Sequence, residues 1–116
     1  MDLKINTHRI MIVDDDTNLL NMLEIILKRD GYSVLPADGG FKALQLAAEE
    51  KPDLIIIDMM MPDLDGIDTV HQLRTMPATR HTPINMLSAL GTPKDKIRGL
   101  EAGVDDYVAK PTDPKE

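Results

Sequence analysis

Short apolar runs alternate along the chain with longer segments in which apolar residues recur at helical spacing. The apolar runs predict strands at residues 9–13, 32–35, 54–57, 83–87 and 107–109. The segments between them predict helices at residues 17–30, 40–50, 66–74 and 93–102. Regular alternation of strand and helix is typical of an α/β fold, in which a parallel sheet is covered by helices.

The two most apolar runs carry further information about the sheet. Residues 10–13 and 54–57 contain no polar residue at alternate positions, which predicts central strands buried on both faces. In the first helix, the apolar residues at helical spacing are Leu19, Met22, Leu23, Ile26 and Leu27. In the second helix, they are Phe41, Leu44, Ala47 and Ala48. Gly31 follows the first helix, as expected just beyond a helix end.

Polar residues follow the predicted strands where each strand ends. They are Asp14, Asp15 and Asp16 after the first strand, Asp58 after the third, Ser88 after the fourth and Lys110 after the fifth. Because the carboxyl ends of parallel strands meet at one edge of a sheet, these side chains are expected to share one pocket. Neighbouring carboxylates repel each other and favour a bound cation, and Mg²⁺ is the hard oxygen-seeking ion that suits them.

A site with Mg²⁺ and a lysine favours a phosphoryl group, and phosphoryl transfer depends mainly on positioning and charge neutralisation. A carboxylate such as Asp58 can act as the nucleophile and form an acyl phosphate. Simpler interpretations exist for single motifs. Asp16 is expected to be the N-cap of the first helix rather than a metal ligand, and PDLDG at 62–66 is expected to form a turn.

Composition limits the other classes of function. The chain has 116 residues, enough for one domain, with a net charge of −7 and no cysteine. An acidic domain with three aromatic residues is not expected to bind nucleic acid directly. We expect no membrane segment, and the absence of cysteine is compatible with a cytoplasmic protein.

Four motifs together resemble the receiver domain of two-component response regulators. They are VDDD at 13–16, IIIDMMMPDLDG at 55–66, LSALG at 87–91 and YVAKP at 107–111. The resemblance covers the chain from about Arg9 to Pro111. It implies a doubly wound, five-stranded parallel sheet of flavodoxin-like order 2-1-3-4-5.

The resemblance also implies a role for each matching residue. Asp58 matches the phospho-acceptor, while Asp14 and Asp15 match the acidic pair that holds Mg²⁺ with Asp58. Met60 stands where the family supplies a backbone carbonyl to the metal. The remaining matches are Lys110 as the lysine that pairs with the phosphoryl group, Ser88 as the switch hydroxyl, Tyr107 as the aromatic switch residue and Ala89 as the small residue beside the site.

The resemblance also implies binding partners. A sensor histidine kinase or histidine phosphotransfer protein would supply the phosphoryl group. Residues 1–116 are interpreted as a single receiver domain that stops before its fifth helix, with an output domain or effector beyond Glu116. A sheet without that helix would expose an apolar face, so we expect lower stability or a homo-oligomer.

Two other functions stay open at this stage. The chain could be a receiver-like module that associates with proteins without being phosphorylated, although none of the matching site residues is lost. It could also be a phosphatase or phosphotransferase acting on small molecules, although no cap region is evident. Asn85 departs from the apolar pattern of the fourth strand, where a buried amide would need hydrogen-bond partners.

Overall fold

The computed structural model describes residues 8–88 and 92–109, which form five strands and four helices. The strands are β1 (Arg9–Val13), β2 (Ser33–Ala37), β3 (Leu54–Asp58), β4 (Ile84–Ser88) and β5 (Asp106–Ala109). The helices are α1 (Thr17–Arg29), α2 (Gly40–Glu50), α3 (Gly66–Thr75) and α4 (Pro93–Ala102). The elements occur in the predicted order, and their ends lie within two residues of the predicted ends.

The five strands form one parallel sheet in the order β2-β1-β3-β4-β5. The predicted fold class and strand order are therefore confirmed. The place of a fifth helix, after Ala109, lies outside the described residues. Because β1 and β3 are central neighbours, their carboxyl ends lie side by side in the middle of one sheet edge.

The sheet separates two apolar clusters of unequal size. On one side, α2, α3 and α4 pack over strand residues such as Met11, Ile57 and Met86, all of which are buried. On the other side, α1 packs over Ile10 and Ile12. Among the described residues, the first cluster has sixteen buried members and the second has four.

On the α1 side, fewer residues are buried than stand at helical spacing. Leu20 is the buried residue of α1, whereas Met22 and Ile26 are 50% and 42% exposed. In β3, Ile56 and Leu54 are only partly buried, so the prediction of burial on both faces is wrong for that strand. The reason is that α1 packs against β1 and β2 and leaves β3 partly uncovered.

Asn85, the polar residue in β4, lies on the side of the sheet that α1 covers only partly. Asn85 pairs in register with Ile56 of β3 and Asp106 of β5, and it is only partly buried. Within the described ranges, no buried side-chain nitrogen or oxygen lacks a hydrogen-bond partner. The amide therefore does not carry the penalty of a fully buried polar group.

None of the helices in the described part of the chain is long and apolar enough to cross a membrane.

Candidate functional site

Three carboxylates meet at the carboxyl ends of β1 and β3. Asp14 directly follows β1, and its backbone N–H donates to the carbonyl of Ala37 in β2 at 3.1 Å, which extends the ladder by one residue. Asp58 is the last residue of β3. Asp14 and Asp58 are 3% and 5% exposed, while Asp15 is exposed at the rim. Two of the three carboxylates at the strand ends are thus buried, and the third is exposed beside them.

The donor atoms of these residues suit a single cation. Asp14, Asp15 and Asp58 each offer one carboxylate oxygen, and these oxygens lie within 4.8 Å of one another. Oxygen-only ligands with formal charge −3 match a small hard divalent ion such as Mg²⁺, which keeps part of its water shell. The residues present therefore fit the predicted metal.

Asp16, next in the chain, has a different role. Its carboxylate accepts hydrogen bonds from the backbone N–H groups of Asn18 and Leu19 at 3.1 and 3.2 Å, which makes it the N-cap of α1. The prediction that Asp16 caps this helix is confirmed. The backbone N–H of Asp16 donates to Oδ1 of Asp14 at 2.9 Å, so the start of α1 also orients the Asp14 carboxylate.

The loop that follows Asp58 is held close to the strand end. The N–H of Met59 donates to the carbonyl of Leu87 at 2.9 Å, and the N–H of Gly66 donates to the carbonyl of Met59 at 2.8 Å. A Cβ on Gly66 would stand 2.8 Å from Cα of Met59 and would also overlap the carbonyl oxygen of Asp58. Gly66 is needed for this close approach, whereas the sequence indicated only a turn.

The three methionines of this loop point in different directions. Met59 and Met61 are buried at 2% and 8% exposure, whereas Met60 is 62% exposed. An exposed side chain at 60 agrees with the expectation that its sulfur is not part of the site. The role of the Met60 carbonyl as a metal ligand stays a prediction.

Ser88 and Tyr107 lie on the two strands beyond β3. Asp58 pairs in register with Leu87, which places Ser88 one residue beyond it at the end of β4, and Ser88 is fully buried. Tyr107 of β5 is also buried, and its hydroxyl donates to the sulfur of Met59 at 3.9 Å. The predicted switch residues thus both lie inside the protein, and Tyr107 contacts the residue that follows Asp58.

A glycine in α4 makes space for the Tyr107 ring. A Cβ on Gly99 would stand 3.1 Å from Cδ2 of Tyr107 and 3.2 Å from the sulfur of Met86. Most Cβ contacts are longer than this, so a side chain at 99 would crowd the Tyr107 ring and the Met86 sulfur. The position of Tyr107 therefore depends on α4 as well as on β5.

Three of the predicted residues lie outside the described ranges. Ala89 follows Ser88, and Lys110 and Pro111 follow Ala109, the last described residue of β5. Their expected places at the strand ends stay predictions.

The sequence did not indicate the role of Asp63. Its carboxylate accepts hydrogen bonds from the backbone N–H groups of Gly40 and Phe41 at 3.1 and 3.2 Å, at the start of α2. Hydrogen bonding from the backbone of Leu64, and then from Gly40 and Phe41, holds the pKa of Asp63 below its ordinary value of 3.8. This carboxylate therefore stays ionised under ordinary conditions and links the β3–α3 loop to α2.

The sequence profile of the response regulator receiver domain matches residues 10–116 of this chain. Among curated relatives, the alkaline phosphatase synthesis transcriptional regulatory protein PhoP of Bacillus subtilis is 45% identical over 93% of this chain and 44% of its own length. The DNA-binding dual master transcriptional regulator RpaA of Synechocystis is 43% identical over 93% of this chain and 45% of its own length. The chain thus spans less than half of the curated relatives it matches.

Solved structures give the same result for the fold. The chemotaxis protein CheY4 of Vibrio cholerae superposes with a TM-score of 0.88 at 31% identity, covering 95% of this chain and 92% of that chain. A response regulator of Chloroflexus aurantiacus superposes with a TM-score of 0.85 at 42% identity, covering 95% of this chain and 90% of that chain. The sequence and the fold of this chain are therefore both similar to those of response regulators.

Proposed function

Because this chain belongs to the family of response regulator receiver domains, we propose that it is a phosphorylation-controlled switch whose phospho-acceptor is Asp58. The observation that carries the proposal is the group of Asp14, Asp15 and Asp58, with carboxylate oxygens within 4.8 Å of one another at the strand ends. A nucleophile beside a cation site is the arrangement that phosphoryl transfer to a carboxylate requires.

Phosphoryl transfer to Asp58 needs no reagent other than the phosphohistidine donor. A carboxylate oxygen of Asp58 attacks the phosphorus of a phosphohistidine, the P–N bond breaks, and the histidine nitrogen of the donor leaves with the bonding electron pair. When bound, Mg²⁺ neutralises charge on the phosphoryl oxygens. Asp14 and Asp15 would hold that ion with Asp58 and the carbonyl of Met60.

Two further residues would bind the phosphoryl group once it is on Asp58. The ammonium of Lys110 would pair with one of its oxygens, and the hydroxyl of Ser88 would donate to another. Ser88 is buried at the end of β4, one residue beyond Leu87, which pairs in register with Asp58. This position suits a hydroxyl that donates to a phosphoryl group on Asp58. In this proposal the chain catalyses only its own phosphorylation and dephosphorylation.

The response to phosphorylation would pass from Ser88 to Tyr107. Both residues are buried on neighbouring strands. The Tyr107 ring lies next to Gly99 of α4, and its hydroxyl donates to the sulfur of Met59. A movement of Ser88 toward the phosphoryl group changes the space next to Tyr107 and α4. Phosphorylation would then shift an equilibrium between two arrangements of this region.

The partners in this proposal are a sensor histidine kinase or histidine phosphotransfer protein, and an output domain or effector. PhoP and RpaA are named as transcriptional regulators, and this chain spans less than half of each. We expected no direct nucleic acid binding because residues 1–116 are acidic. The two relatives do not support extending this expectation to a longer protein that contains the chain. We place the acidic receiver in the cytoplasm, where a kinase and ATP are available.

A receiver that only associates with other proteins is the alternative, and the intact acidic group makes it the weaker one. The test is incubation with Mg²⁺ and acetyl phosphate, followed by intact-protein mass spectrometry. We expect the mass of one added phosphoryl group, its loss in Asp58→Asn, and its retention in Asp30→Asn, which changes an exposed aspartate at the end of α1. No added mass in the parent chain, or equal labelling of Asp58→Asn, would overturn the proposal.

A further inference from the structure

Helix α2 begins without a cap of its own. Its N-cap residue is Gly39, which has no side chain to accept from the first backbone N–H groups. The other three described helices are capped by Asp16, Asp65 and Thr92, each at its own N-cap position. In α2 the cap comes from Asp63, which lies 23 residues from Gly40 in the chain.

The Asp63 carboxylate stands where a side chain at residue 39 would be. A Cβ on Gly39 would lie 2.6 Å from Oδ2 of Asp63, closer than real Cβ contacts. The backbone at Gly39 is extended, with φ −173° and ψ 172°, so other residues could adopt it. The three atoms nearest to that Cβ all belong to the Asp63 carboxylate, so a capping residue at 39 would require this carboxylate to shift.

The start of α2 also packs directly on the loop that carries Asp63. A Cβ on Gly40 would lie 2.6 Å from the carbonyl oxygen of Leu64 and 2.5 Å from Oγ1 of Thr69. Thr69 is fully buried, and its hydroxyl donates to the carbonyl of Asp65 at 2.8 Å. The loop between β3 and α3 is therefore fixed in its middle by α2 and at its ends by the bond between Gly66 and Met59.

We propose that Asp63 is a positioning residue of the cation site: by capping α2 from the loop, it fixes the backbone around Met60 next to Asp58. The inference rests on the proposed function, in which the Met60 carbonyl is a metal ligand. An N-cap at residue 39 would stabilise α2 equally well but would not tie the loop to α2 through hydrogen bonds. A cap supplied by the loop stabilises α2 and orders the loop with the same two hydrogen bonds.

The experiment separates loop positioning from helix capping with two variants. Asp63→Ala removes the cap, and Gly39→Asp combined with Asp63→Ala restores a cap within α2 without the two hydrogen bonds that join the loop to the helix. For each protein we would measure the Mg²⁺ dissociation constant by calorimetry, and amide exchange at residues 40–41 and 59–66 without Mg²⁺.

We expect Asp63→Ala to bind Mg²⁺ about tenfold more weakly, in the range seen when groups that orient metal ligands are removed. Its amides at Gly40 and Phe41 and its loop amides should exchange faster. The double variant should regain protection at residue 41 near the start of α2, whereas Mg²⁺ affinity stays about tenfold weaker and the loop still exchanges rapidly.

Recovery of both Mg²⁺ affinity and loop protection in the double variant would show that Asp63 is only a helix cap, and would overturn the inference. Unchanged affinity and loop protection in Asp63→Ala would overturn it as well. If the parent chain neither binds Mg²⁺ nor accepts a phosphoryl group, the proposed function fails, and the exchange data still decide whether Asp63 orders the loop.

Discussion

At the scale of single residues, three consecutive aspartates have different environments. Asp14 is buried and oriented by the backbone of Asp16, Asp15 is exposed beside the site, and Asp16 caps α1. Asp15 adds negative charge next to two buried carboxylates, whereas the charge of Asp16 lies at the positive end of a helix. Removing the charge at 15 and at 16 should therefore affect stability in opposite directions.

We predict that Asp15→Asn, measured with a chelator, raises the free energy of unfolding by about 1 kcal/mol, because it relieves repulsion from Asp14 and Asp58. Added Mg²⁺ should stabilise this variant much less than the parent chain. Thermal and urea unfolding with and without Mg²⁺ would measure both effects.

Asp16→Ala is the matched control for that prediction. Loss of an N-cap should lower the free energy of unfolding by about 1 kcal/mol, while stabilisation by Mg²⁺ should remain. If Asp15→Asn lowers stability in chelator as Asp16→Ala does, repulsion among Asp14, Asp15 and Asp58 does not destabilise the protein.

At the scale of elements, Arg74 joins the end of α3 to two other segments. Its guanidinium donates to the carbonyls of Gly103 at 2.9 Å and Thr82 at 2.7 Å, and to Asp105 at 3.0 Å. Asp105 also accepts from the N–H of Ile84, the first residue of β4. Arg74 thus connects α3, the turn before β4 and the segment between α4 and β5, at the sheet edge opposite Asp58.

We predict that Arg74→Ala lowers the free energy of unfolding by about 3 kcal/mol, because several partly buried acceptors lose a charged donor. Arg98→Ala is the comparison, since Arg98 is exposed and pairs with Asp95 at the longer distance of 3.8 Å. That variant should change stability by less than about 0.5 kcal/mol. Urea unfolding that gives equal losses for the two variants would contradict a linking role for Arg74.

At the scale of the whole molecule, residues 8–88 and 92–109 cover the two faces of the sheet unequally. The α1 side has the smaller cluster, and three large apolar residues of α1, Met22, Ile25 and Ile26, are between 42% and 62% exposed. Apolar residues exposed next to one another favour contact between molecules. We expect this surface to contribute to self-association of the chain.

We predict that the weight-average molar mass of this chain, measured by sedimentation, increases with protein concentration. Ile25→Lys should make this increase smaller. Glu49→Lys, which introduces the same residue at an exposed position of α2 on the other side of the sheet, serves as the control. A monomer at every concentration would contradict self-association, and equal behaviour of the two variants would place the contact elsewhere.

The sequence by itself determined the order of the elements and the edge at which the site lies. Strand runs and helical spacing are local patterns, and a carboxylate that ends a strand, such as Asp14 or Asp58, must lie at the carboxyl edge of a parallel sheet. The cap at Asp16 was equally predictable, because an N-cap bonds only to its own helix.

The tertiary structure decided what depends on contacts between distant segments. Helical spacing allowed Met22 and Phe41 to be buried, but the docking of α1 and α2 on the sheet leaves them 50% and 63% exposed. The cap that Asp63 gives to α2 joins residues 23 positions apart, and the need for glycine at 66 arises from the backbone of Asp58. Such contacts depend on how helices and loops pack in space, and local sequence patterns do not contain that information.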